Sequence, residues 1–177
     1  QKNQRRITTD ISTSRSDPAL LALGRIVGSL CVLTTQKGED LESLSGAMVA
    51  SWVSQASFQP PGVTVAVAKD RAIEAFMQIN DLFVINVLKA DNYQSILRHF
   101  LKRFPPGADR FEGVAILEDI AEGGPVFVDA VAFLDCLVQK RLETSDHWII
   151  YAVVKNGKVA NAEAKTAVHH RRVGSTY

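Results

Sequence analysis

The chain has 177 residues, 46% of them hydrophobic and 22% charged, with 20 basic side chains against 19 acidic. A chain of this length reads as one domain that buries roughly 70% of the surface its unfolded form exposes, so its core needs no staple. The charge balance excludes a basic footprint for nucleic acid or an anionic membrane. The apolar content excludes a disordered chain, and the longest apolar run, Trp148–Val154, is too short to span a bilayer.

Residues 1–16 are polar, rich in Arg, Thr and Ser, and read as a linker or flexible arm. The start at Gln1, without a methionine, suggests a segment of a longer protein. Asp17-Pro18 then opens a helix, Asp17 as its N-cap and Pro18 as its first residue, with Gly24 and Gly28 bounding the end. Leu30–Thr35 reads as a strand and Gln36–Leu44 as a charged loop whose Glu39, Asp40 and Glu42 are solvated. Two strand-like runs follow, Ala47–Ser54 and Val63–Ala68, joined by a stiff corner at Phe58–Gly62. The second alternates, with Val63, Val65 and Val67 on one side and Thr64, Ala66 and Ala68 on the other. The first sets Ser51, Ser54 and Gln55 among small apolar residues, leaving room for a flat polar ligand and offering donors to its edge.

Arg71–Ile79 is expected as a short helix and the nearly all-apolar Leu82–Leu88 as a buried central strand. Asp91–Lys102 reads as a helix stopped by Pro105-Pro106-Gly107, Val114–Ile120 as a strand and Ala121–Pro125 as a loop. Two long strands, about 130–143 and 147–155, precede Asn156-Gly157, a two-residue hairpin signal leading into a short Lys158–Ala162 strand. The tail, residues 164–177, carries His169-His170-Arg171-Arg172 and no apolar pattern. About seven or eight strands, three helices and hardly any βαβ rhythm predict a mostly β fold, a Greek-key-like antiparallel barrel capped by helices, over residues 17–163.

Phosphate-loop and dinucleotide glycine motifs are absent, as is a nucleophile elbow. His99, His147, His169 and His170 make no metal-ligand spacing with Cys31 and Cys136, so no metal site is predicted. Both cysteines sit in apolar runs and read as buried free thiols of a reducing compartment. Lys69-Asp70-Arg71, between a strand end and a helix start, sets two cations beside exposed helical N–H groups, a pattern suited to phosphate. Asn86 interrupts its apolar strand; left unsatisfied, a buried amide costs about 1–3 kcal/mol, so backbone, water or a ligand must meet it. Trp52 and Trp148 read as core more readily than as stacking partners.

The order of these elements resembles the flavin reductase-like family, whose fold is the FMN-binding split barrel. The residues that carry the resemblance are LGRIVGSLCVLTTQKG at Leu23–Gly38, GAMVASWVSQASFQPPGVTVAVAKD at Gly46–Asp70, LFVINVL at Leu82–Leu88, Arg110-Phe111, and DHWIIYAVV at Asp146–Val154. In detail the chain is most similar to the reductase-like module at the C-terminus of flavodiiron proteins of oxygenic phototrophs. The resemblance implies bound FMN (or FAD), NAD(P)H as reductant and a homodimer. It also implies flavodoxin-like and diiron domains in the same parent protein, and a cytoplasmic or chloroplast-stromal setting. Carried over, the flavin ring lies against Met48, Val49, Ser51, Trp52, Val53 and Ser54. Lys69, Arg71, Asn86, Arg103 and Phe104 serve the rest of the cofactor, and His147 contacts the nicotinamide. Many relatives have a Ser or Thr where Ala72 stands here. Two alternatives stay open: a flavin relay without NAD(P)H activity, and a flavin-free dimerisation module.

Overall fold

The computed structural model describes residues 17–38 and 44–177. The arm expected over 1–16, and Glu39, Asp40 and Glu42, lie outside the described residues. The chain divides into two compact units, one of residues 28–169 and one joining the segment before residue 28 to that after 169. In the latter, helix α1 (Pro18–Leu23) begins as the sequence predicts: the Asp17 carboxylate accepts the Ala19 N–H. Gly24 has no room for a Cβ against the backbone of Val173.

The larger unit is antiparallel throughout. It holds β1 (Gly28–Ser29), β2 (Cys31–Gln36), β3 (Ser45–Ala50), β4 (Val53–Ser57), β5 (Gly62–Ala68), β6 (Leu82–Leu88), β7 (Ile116–Leu117), β8 (Val126–Phe127), β9 (Ala130–Glu143), β10 (His147–Val159) and β11 (Val168–His169). Seven of these form one sheet in the order β3-β2-β6-β9-β10-β5-β4. Strands β3 and β4 are neighbours in sequence yet stand at opposite ends of that order, and Ser51-Trp52 carries the chain between them. This is a split barrel, and the run predicted as one strand over Ala47–Ser54 is two. Gly28 is glycine because any Cβ there would run into the Ser51 carbonyl.

Alternation sets the two faces. Val63, Val65 and Val67 of β5 point inward with Leu33, Phe83, Ile85, Val138 and Ile150 to form the barrel core. On the outer face, Val32 and Leu88 pack under helix α2 (Gln94–Phe100) with Phe100, Phe111 and Phe127. Residues 121–127 cross the outside of β6, pinned by two buried polar side chains. Asp135 accepts the N–H groups of Glu122 at 2.8 Å and Gly123 at 3.0 Å. Asn86 accepts the Phe127 N–H at 2.8 Å and donates to the Pro125 carbonyl at 3.1 Å.

Several expected boundaries move. The predicted helix over Arg71–Ile79 is a five-residue 3₁₀ turn, Ala72–Phe76, and Val114–Ile120 pairs only at Ile116–Leu117. Asn156-Gly157 is no hairpin: β10 runs on through it, pairing Asn156 with Asp135 and Gly157 with Leu134 across a bulge. The long β9 still has partners to offer there, and the Asn156 side chain spans from the Gly157 N–H to the Ile120 carbonyl, which holds the extra residue in line. Past Ala164, Ala167 is buried in the outer core and Val168–His169 pairs with Gly28–Ser29.

Both thiols are buried as expected. Burial pushes Cys31 up to about 12, and burial with the Asp135 carboxylate beside it does the same for Cys136. The folded protein therefore holds both as neutral thiols, a contribution to stability present below the unfolded value near 9.0 and lost as pH rises towards about 12. At about pH 8 neither is expected to react with an aromatic disulfide reagent until denaturant is added, when both should. Rapid labelling of the folded protein would contradict this burial.

Candidate functional site

An open cleft of about 480 Å³ lies where β3, the turn after β5 and the end of α2 converge. Its floor is apolar, from Met48, Ile73, Phe100 and Phe104, and its rim is cationic: Arg71, Lys102, Arg103 and Arg110, against the one carboxylate of Asp70. The local reasons are visible. β5 stops at Ala68, and the Arg71 N–H closes back on the Ala68 carbonyl at 3.1 Å, turning the Arg71 backbone towards the 3₁₀ turn. Helix α2 cannot continue into Pro105-Pro106, so the chain leaves it at Leu101 and presents Lys102–Phe104 to the cleft. Arg110 lies over the Phe104 ring, 5.9 Å from its centroid. Among the described residues, Lys102, Arg103 and Arg110 form no ion pair with a carboxylate. Unneutralised cations over an aromatic floor suit a ligand with an anionic end and a flat apolar body.

Of the predicted site residues, the cleft gathers Met48, Val49, Arg71, Arg103 and Phe104. It also takes in Ala72, so no hydroxyl is available at that position. Val53 and Ser54 do not join them; they line a separate, mainly apolar hollow of about 350 Å³ with Cys31, Ile85, Leu134 and Val154. The flavin contacts expected along a single strand are thus parted by the β3–β4 break, with Ser51 and Trp52 at the break itself.

Lys69 stands outside the cleft lining. Its ammonium pairs with Glu143 at 2.6 Å and lies 5.7 Å from the Trp148 ring centroid, so only one of the two predicted cations faces the cleft. Trp148, with Arg141 over its other approach at 4.3 Å, packs on the barrel core as its core reading expected. Asn86 stands outside the cleft lining too. It is 0% exposed and its amide is spent on Phe127 and Pro125, which leaves no atom for a cofactor.

His147 lines neither hollow. It opens β10 opposite Ala68, with its ring 4.8 Å from that of Trp52 and its Nδ1 donating to Asp146 at 2.7 Å. That hydrogen bond, reinforced by the charge interaction between the two side chains, holds the exposed Asp146 carboxyl below the ordinary carboxylate range. Sequence reasoning missed Lys102 and Phe100 as lining residues, and noted Arg110 only as a family landmark. Four cations converging from two segments, Arg71 from one and three spread over residues 102–110 of the other, leave no motif along the chain.

A seven-stranded antiparallel split barrel with a cationic, aromatic-floored cleft defines the class of flavin-handling split barrels. The chain belongs to the family of flavin reductase-like domains, which matches residues 23–176. It is 60% identical over 156 residues to diflavin flavoprotein A 1 of Synechocystis sp., a match covering 88% of this chain and 26% of that protein. The chain therefore spans about a quarter of the length of such relatives, as their reductase-like module. Among solved structures it resembles the NADH:FAD oxidoreductase SgcE6 of Streptomyces globisporus, with 25% identity, a TM-score of 0.74, and 86% of this chain and 87% of that one covered. Flavin reductase PheA2 shares the fold at a TM-score of 0.68, with 21% identity and coverage of 85% and 90%. No helix among the described residues is long and apolar enough to cross a membrane.

Proposed function

We propose that this chain is the FMN-binding redox module of a flavodiiron-type parent, taking a hydride from NADH or NADPH. The electrons then pass to a second flavin and a diiron centre elsewhere in that parent. The observation that carries the reading is the cleft. Arg71, Lys102, Arg103 and Arg110 meet a phosphate monoester's charge at neutral pH, and Met48 and Phe104 offer a dry face to a ring. The identity to a diflavin flavoprotein and the likeness to an NADH:FAD oxidoreductase support it. The reading carries with it a homodimer and a cytoplasmic or chloroplast-stromal setting.

Bound flavin supplies the hydride acceptor at ring N5. The chain's own residues bind and orient. Arg71 and Arg103 hold the phosphate end, Phe104 and Met48 keep water from one side of the ring, and Asp146 fixes the ring orientation of His147. Hydride transfer needs no base, so His147 acts by contact. It stands on Trp52 at the end of β5, so it serves the site only if the nicotinamide reaches past Arg71 to that corner. The competing reading is a flavin relay without nicotinamide activity.

The test is the visible spectrum of the purified chain after FMN is added and unbound FMN removed, then titrated anaerobically with each nicotinamide. Flavin bands that co-elute and bleach support the reductase. Bands that persist under nicotinamide support the relay. A colourless protein that cannot be reconstituted overturns both and leaves a flavin-free module.

A further inference from the structure

The cleft's cations stand mostly on one irregular segment. From Leu101 to Arg110 the chain has neither helix nor strand, and it carries Lys102, Arg103, Phe104 and Arg110. Its backbone hydrogen bonds are short-range: Lys102 N–H to the His99 carbonyl at 3.4 Å, and Ala108 N–H to the Pro105 carbonyl at 3.1 Å. Such a segment holds a fixed shape only if its far end is tied. Phe111, buried against Phe100 and Phe127, anchors the residue after Arg110, and one hydrogen-bonding side chain ties Arg110 itself. His99, in the last turn of α2, has Nε2 2.7 Å from the Arg110 carbonyl oxygen. A carbonyl only accepts, so Nε2 carries the hydrogen. The same ring lies 4.8 Å edge-on to Phe100 and 5.5 Å from Phe104, both cleft residues. On its other side is a hollow of about 150 Å³ lined by Ser95, Asp129 and Gly113, so packing alone does not fix the ring.

We propose that His99 is a positioning residue of the anion cleft: its Nε2–H bond to the Arg110 carbonyl sets the loop so that Arg103 and Arg110 converge on one anionic group. The inference rests on the reading that this cleft takes the phosphate of the flavin. His99 touches no ligand in it. It acts through the loop, and its removal weakens recognition of the phosphate end most, while leaving the ring's contact with Met48, which stands on β3, in place.

The experiment compares FMN with riboflavin, which has the same ring and no phosphate, by fluorescence-quenching titration of the whole chain. His99→Phe keeps an aromatic ring and removes the donor. His99→Asn, whose amide sits where Nδ1 was, also fails to reach Arg110 and serves if the first variant does not fold. His99→Gln places an amide N–H near the Nε2 position. His99→Phe or His99→Asn is expected to weaken FMN roughly three- to tenfold, the weight of one lost hydrogen bond, with riboflavin weakened less and His99→Gln near wild type. Loss of both ligands in equal measure, or an unchanged FMN-to-riboflavin ratio in a folded variant, overturns the positioning role. A wild-type chain that binds FMN and riboflavin equally overturns the phosphate reading itself, a separate and recognisable result.

Discussion

Replacing Asn86 by leucine is expected to cost about 2–3 kcal/mol of stability, because it orphans a buried N–H and removes a satisfied amide. The side chain is fully enclosed between β6 and the strap of residues 121–127. Its Oδ1 is the acceptor for the Phe127 N–H, at 2.8 Å, and a leucine offers nothing in its place. The Pro125 carbonyl is less affected, since Thr34 Oγ1 also donates to it at 2.7 Å. For a domain of this size the loss corresponds to a fall in Tm of about 4–10 °C, read by circular dichroism. FMN affinity per folded molecule should not change, because no atom of Asn86 reaches the cleft. A variant that melts normally but loses flavin would show that the amide serves the cofactor after all.

The second large effect is expected from Arg71→Ser combined with Arg103→Ser. These two cations enter the cleft from the turn after β5 and the loop after α2, so each approaches a phosphate from a different side. A hydrogen bond to a charged group contributes about 1.5–3 kcal/mol, and exposure of both residues puts the pair at the lower end. FMN binding should weaken by about two orders of magnitude, and its salt dependence should flatten, as two charged contacts are gone. Riboflavin affinity should barely move. Lys69→Ala, which removes the partner of Glu143 and the cation beside Trp148, should leave FMN binding at the wild-type level. Equal weakening of FMN and riboflavin by the double variant would put the ring, and not the phosphate, among these arginines.

Much of the barrel is legible in the sequence where one face of a strand is bulky and the other small. The valines of β5 and the apolar run of β6 specify their strands, and β6 keeps the predicted bounds Leu82–Leu88. The β3–β4 break left a trace that was not read. Met48, Ala50 and Val53 all pack on the same core, so the inward positions change from even to odd across Ser51-Trp52. A single strand cannot do that. Asn156-Gly157 misled for the opposite reason: local turn preference was overridden by a long partner strand that still had pairing groups to offer. Asn86 had to be satisfied by something, but its partners lie some forty residues away and are backbone atoms, which no side-chain pattern displays. The cleft was only half legible. Lys102 and Arg110 look like solvated charges until α2 ends and the loop folds back, and nothing around Lys69 shows that Glu143 comes opposite it.

The sheet order has a kinetic side. Strand pairs β2–β3, β4–β5 and β9–β10 join elements adjacent in the chain, so each can zip early as a hairpin. β6 is different: it pairs with β2 through Val32 and Asn86, and with β9 through Leu82 and Leu137, closing a loop of about fifty residues on either side. The pairing of β5 with β10 closes a wider loop still, about eighty to ninety residues, so the rate of folding is set by these nonlocal pairings together, on the millisecond-to-second scale of such β topologies. Until β6 is seated and β5 has met β10, the hairpins wait with their inner faces wet, and the cleft, which needs β3 and β5 on the same barrel, does not exist.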